Sequence, residues 1–98
     1  MDVVFADETL ALVETEEAGK TRLPVAVIKS ARRKLTVIRA APDDRALRNW
    51  KSLHYERLKG SRDDMRSIRL NDQFRMVLTV DGTKSPQVAT IIAIEDYH

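Results

Sequence analysis

The chain has 98 residues, 43% of them apolar and 33% charged, with a formal net charge of +2 and no cysteine. That length serves one modest core and one domain, residues 1–98. Without cysteine there are no disulfides or thiolate metal sites, and a reducing cytoplasm is the expected setting. No apolar stretch approaches the roughly 20 residues needed to span a membrane, and Met1-Asp2-Val3-Val4-Phe5 lacks the basic start of a signal peptide. The near-neutral total conceals segregation. Acids gather early, at Asp2, Asp7, Glu8, Glu14, Glu16 and Glu17. Lys29, Arg32, Arg33, Lys34 and Arg39 share one helical segment, and Arg57, Lys59, Arg62, Arg66, Arg69 and Arg75 crowd the middle. Such a face suits an anionic partner such as nucleic acid, although an ordinary solvated surface is the plainer reading.

In chain order, Val3 to Phe5 is a short apolar run suited to an edge strand. Asp7 can cap a helix that places Leu10 and Val13 on one face, with Gly19 as its stop. Pro24 opens a second helix. Ile28, Ala31, Leu35 and Ile38 recur at steps of three, four and three, which makes one apolar stripe; Pro42 ends it. Ala46 to Trp50 reads as a further short turn, anchored to the core by Leu47 and Trp50. After Gly60 the period changes to two. Ile68 and Leu70 alternate with Ser67 and Arg69, and Phe74, Met76, Leu78 and Val80 alternate with Arg75, Val77 and Thr79. Asn71-Asp72 marks the turn between them, Asp81-Gly82 opens the next loop, and Val88 to Ile94 forms the last strand. Helices first and an antiparallel meander second predict an α+β fold, with two N-terminal helices on a three- to four-stranded antiparallel sheet.

Three groups of residues can carry chemistry. Arg69 and Arg75 lie on the strand face opposite Ile68, Leu70, Phe74 and Met76. A solvated face explains them, and so does an anion site, because guanidinium matches phosphate with two parallel hydrogen bonds. Glu56-Arg57-Leu58-Lys59-Gly60 sets a carboxylate three residues before a lysine. Asp96-Tyr97-His98 follows an apolar strand directly, and the two histidines, His54 and His98, titrate near neutral pH in their unperturbed state. With no cysteine and no ligand-like spacing, no metal site is expected.

Leu58-Lys59-Gly60-Ser61-Arg62, then Ser67-Ile68-Arg69-Leu70-Asn71-Asp72-Gln73-Phe74-Arg75, then Glu95-Asp96-Tyr97-His98, resembles the HigB branch of the RelE/ParE toxin superfamily, the toxin halves of bacterial type II toxin–antitoxin pairs. The resemblance is close in the second half and looser in the first. It implies two helices on an antiparallel sheet. It also implies an endoribonuclease that enters the A site of the 70S ribosome and cuts mRNA without metal or cofactor. The expected partner is a HigA-like helix-turn-helix antitoxin, in a hetero-oligomeric complex. In this chemistry the ribose 2′-hydroxyl attacks the adjacent phosphate. A base takes the hydroxyl proton, an acid protonates the leaving 5′-oxygen, and cations stabilise the phosphate.

By that resemblance His98 is the acid, favoured in its protonated form by Asp96 and its own α-carboxylate. Arg75 holds the scissile phosphate, with Lys59 and Arg69 in support. Tyr97 stacks on a base or bonds the phosphate. Many HigB members carry a histidine two places before Leu-Lys-Gly, where this chain has Glu56; His54 lies two residues further upstream. The spacing favours Glu56 as base, as in the Glu-x-Leu-Lys context of the related YoeB branch, and a glutamate is ionised at neutral pH. His54 stays open as an alternative. Arg62, which ends the first motif, and Arg66, just before the second, are further RNA-binding candidates, and Arg32, Arg33 and Arg39 are candidates for ribosomal RNA contacts. Two other outcomes stay open: a ParE-like gyrase poison, which would lack the catalytic set, and a catalytically weak member that mainly binds its antitoxin.

Overall fold

The computed structural model describes residues 1–58, 60 and 64–97. The candidate residues Lys59, Arg62 and His98 lie outside the described residues. Strands β1 (Asp2–Phe5), β2 (Glu56–Arg57), β3 (Arg66–Arg69), β4 (Phe74–Asp81) and β5 (Val88–Asp96) form one sheet in the order β1-β5-β4-β3-β2. Helices α1 (Glu8–Ala11), α2 (Val25–Ala40) and α3 (Asp44–Asn49) complete the fold, with 3₁₀ turns at Leu12–Glu14, Ala18–Thr21 and Lys51–Leu53. The α+β class is as expected, and β3, β4 and β5 form the predicted antiparallel meander.

The sheet departs from the expectation in two ways. It is mixed, because β1 runs parallel to β5, pairing Asp2 with Val88 and Phe5 with Ile91. It also gains β2, a two-residue edge that pairs Glu56 with Ser67 and Arg57 with Arg66. The helices differ too. Asp7 caps α1, accepting from Thr9 N at 2.7 Å, but the helix ends at Ala11 and its chain continues in 3₁₀ turns, one of which contains Gly19. Leu47 anchors α3 in the core, whereas Trp50 is 52% exposed and does not.

Helix α2 forms where the pattern places it. The Pro24 carbonyl accepts from the amides of Val27 and Ile28, both at 3.0 Å, and Pro42 follows the last turn. Carbonyls orphaned at that end are met by the Met1 amino group, which donates to Arg39 at 3.1 Å and to Ile38 and Ala41. Ile28, Ala31, Leu35 and Ile38 are all buried, in one cluster with Ile68, Met76, Leu78 and Ile91. A bulge in β5 keeps that cluster continuous. Val77 pairs with Ala93 and Leu78 with Ile91, so Ile92 has no opposite number and the strand's facing changes there. The helices thus cover one face of the sheet through this core.

Candidate functional site

Neighbours along a strand point to opposite faces. Ile68 and Met76 pair across β3 and β4 and point into the core, so Ser67, Arg69 and Arg75 point away from it. The pairing of Glu56 with Ser67, Arg69 with Arg75 and Arg75 with Glu95 runs a polar line across four strands on that face. His54, Glu56, Ser67, Arg69, Arg75 and Tyr97 line a hollow there of about 230 Å³. The turn ahead of β2 supplies His54. Its backbone lies in the left-handed region, φ 48°, and its amide donates to Lys51 O at 3.1 Å. A non-glycine residue there costs about 1 kcal/mol, and the kink turns the chain from the 3₁₀ segment into β2.

Arg75 is held from two sides. Its Nε and one terminal nitrogen donate to Glu95 Oε1 at 3.1 and 2.9 Å. Its guanidinium carbon lies 5.6 Å from the centre of the Tyr97 ring, a cation–π contact. Tyr97 in turn is fixed by the β3–β4 turn: its amide donates to Gln73 O at 3.0 Å and its hydroxyl to Asn71 O at 3.1 Å. Arg69 is paired with Asp72 in the same turn. The hollow therefore offers two guanidinium groups, a carboxylate, an imidazole, a phenol and a serine hydroxyl on an open face. Such a set can bind a phosphate and accept a proton beside it. Among the described residues no three His, Asp or Glu side chains are grouped to hold a metal ion.

Of the candidates named from sequence, Glu56, His54, Arg69, Arg75 and Tyr97 come together in this hollow. Asp96 does not line it; it accepts from Gln73 Nε2 at 2.8 Å beside the β3–β4 turn. Arg66 faces the other side of the β2–β3 edge, in a separate hollow with Arg48, Tyr55 and Arg57. On α2, Arg32 donates to the carbonyls of Val13 and Thr15 at 2.8 and 2.9 Å, and Arg39 forms a two-pronged ion pair with Glu14. Arg33 is exposed. Two residues of the site escaped the sequence reading. Ser67 stands opposite Glu56, and Glu95 is two places before Tyr97 and shares its face of β5. Strict alternation back from Tyr97 was the available signal for Glu95.

The fold is that of a small bacterial toxin. The YoeB/ParE toxin from Agrobacterium tumefaciens superposes with a TM-score of 0.62 over all of both chains, at 18% sequence identity. The family described as "RelE-like toxin of type II toxin-antitoxin system HigB" matches residues 4–92, and the chain belongs to this HigB-like toxin family. That membership implies an antitoxin partner. No curated protein matches the sequence. No helix among the described residues is long and apolar enough to cross a membrane.

Proposed function

We propose that this toxin is a ribosome-dependent endoribonuclease, acting on mRNA in the cytoplasm and held in check by a HigA-like helix-turn-helix antitoxin in a hetero-oligomeric complex. One observation carries the reading: Glu56, Arg69, Arg75 and Tyr97 meet in a single polar hollow although they come from four separate segments. Glu56 takes the proton of a ribose 2′-hydroxyl, and the freed oxygen attacks the adjacent phosphorus. The bond from phosphorus to the 5′-oxygen breaks, and His98 gives that oxygen its proton. The products are a 2′,3′-cyclic phosphate and a free 5′-hydroxyl, and no redox partner enters. Arg75, with Arg69 and Lys59, stabilises the phosphate oxygens as charge builds on them. Tyr97 stacks on an unpaired base.

Mapping mRNA 5′ ends after induction tests this. New ends inside translated codons, absent from an Arg75→Ala strain, are expected. DNA damage without such ends would sink the proposal in favour of gyrase poisoning. In a translating extract Glu56→Ala should abolish cutting and His54→Ala should leave most of it; loss only in the His54 variant makes His54 the base. The weak-toxin reading draws support from the Arg75–Glu95 pair, which occupies the phosphate-binding arginine. It predicts antitoxin binding without detectable cuts.

A further inference from the structure

The register that sends Glu56 and Ser67 into the site sends Arg57 and Arg66 to the opposite face of the same edge. There they meet Arg48 from α3 and Tyr55 around a second hollow, again of about 230 Å³. The Tyr55 ring packs against the core, but its hydroxyl is buried with no well-placed hydrogen-bond partner among the described residues. Arg66 acts on it through its field and as a weak donor short of full hydrogen-bond geometry, and Arg48 acts through its field. A buried hydroxyl without a well-placed partner in a polar hollow is uncommon and leaves room for an occupant.

The ion pairing there is also uneven. Arg57 and Arg66 share one carboxylate, Asp64, at 3.1 and 3.6 Å, and Arg48 pairs with Asp44 at 2.8 Å. Three guanidinium groups thus pair directly with two carboxylates among the described residues, while Asp43 acts on Arg48 from further off. The ion pairs of Arg48 and Arg57 are largely exposed, so little energy holds them in place. An anion with several acceptor oxygens can take donors from all three arginines and from the phenol.

We propose that Arg48, Tyr55, Arg57 and Arg66 form a second phosphate site, separate from the cleavage hollow, that grips the backbone of the same RNA strand as it rounds the sheet edge. The strand β2 is only two residues long and is the last in the sheet. An RNA strand crossing it passes from one hollow to the other with no further β-strand in the way among the described residues. A phosphodiester fits better than a carboxylate of a protein partner, because the donors come from α3, β2, β3 and the turn before β2 and a phosphate spreads its four oxygens tetrahedrally, whereas a carboxylate holds its two in one plane. The choice of RNA over free phosphate rests on the proposed nuclease function.

The test is binding of a 2′-O-methyl RNA oligonucleotide, which cannot be cut, followed by fluorescence anisotropy over a range of salt. The Arg48→Gln/Arg57→Gln variant should bind about tenfold more weakly, with a log–log salt slope shallower by about 0.7, the share of one phosphate. Tyr55→Phe should bind about threefold more weakly with the slope unchanged, since it removes a donor and no charge. Wild-type affinity and slope in a double variant whose circular dichroism is native would overturn the site. So would an unchanged RNA slope with tight binding of inorganic phosphate, which makes the ligand free phosphate, or with weakened antitoxin binding, which makes it an acidic peptide. If no cleavage is found in cells yet the slope changes as expected, the nuclease reading fails and the phosphate site stands.

Discussion

Arg75 already has a carboxylate partner, so a phosphate that reaches it must compete with Glu95 or share the guanidinium. The side chains of Arg75 and Glu95 are 31% and 43% exposed, which leaves room for an incoming anion to approach and for water to weaken the pair. Glu95→Gln keeps a hydrogen-bond acceptor and removes the negative charge. We expect this variant to bind uncleavable RNA about threefold more tightly, read by anisotropy. Weaker binding would mean that Glu95 serves to aim Arg75. Tyr55 allows a separate measurement. Burial raises its pKa above the usual tyrosine value, with Asp44 adding to the shift. The chain has two tyrosines, so Tyr97→Phe isolates Tyr55 for absorbance titration. Its ionisation should fall above the value of about 10 and return to it in urea. Because the folded pKa is the higher, its contribution to stability is full below about pH 10 and is lost as pH rises through the folded value.

At the scale of elements, the β3–β4 turn is the piece on which the site depends most. Asn71 Oδ1 accepts from the amides of Gln73 and Phe74 at 2.8 and 2.7 Å, and the same turn holds Tyr97 by its amide and hydroxyl. Asn71→Ala should cost about 1 kcal/mol, or roughly 4–8 °C in Tm for a domain of this size, and should loosen Tyr97 with it. Chemical denaturation and Tyr97 ring-proton spectra check the two halves of that statement. The elements that periodicity announced are those with enough repeats to show it: α2 through its four-residue stripe, and β3 and β4 through strict alternation. Two residues cannot show a period, so β2 was invisible, although it supplies Glu56 and aims Arg57. Nor does a run such as Val3–Phe5 say whether its partner lies parallel or antiparallel. Helix α1 was overestimated because a good cap at Asp7 marks where a helix begins and says nothing of how far it runs. Of the two anchors expected for the short turn over residues 46–50, Leu47 is buried, whereas the bend after Asn49 leaves Trp50 half exposed.

Across the whole molecule, one sheet separates two kinds of work, and this explains what was legible of the site. Residue types and motif spacing singled out Glu56, Arg69, Arg75 and Tyr97, and their common hollow follows from facing alone. What spacing could not show is which neighbours satisfy them: Glu95 on Arg75, Glu14 on Arg39, the Val13 and Thr15 carbonyls on Arg32. Those partners come from distant segments brought in by the fold. The division of faces also makes core and site separable by mutation. Leu35 is fully buried in the cluster between α2 and the sheet and lies on the far side from the hollow. Leu35→Ala should cost about 3 kcal/mol, a large share of the roughly 5–15 kcal/mol that holds a domain folded. Urea denaturation should show that loss, while RNA affinity and cutting per folded molecule stay at wild-type levels wherever the variant is folded. Arg75→Ala should do the reverse, losing the cut with the unfolding midpoint almost unmoved. A Leu35→Ala protein that is folded yet fails to bind RNA would show that α2 shapes the hollow through the sheet, and that the two faces are not independent.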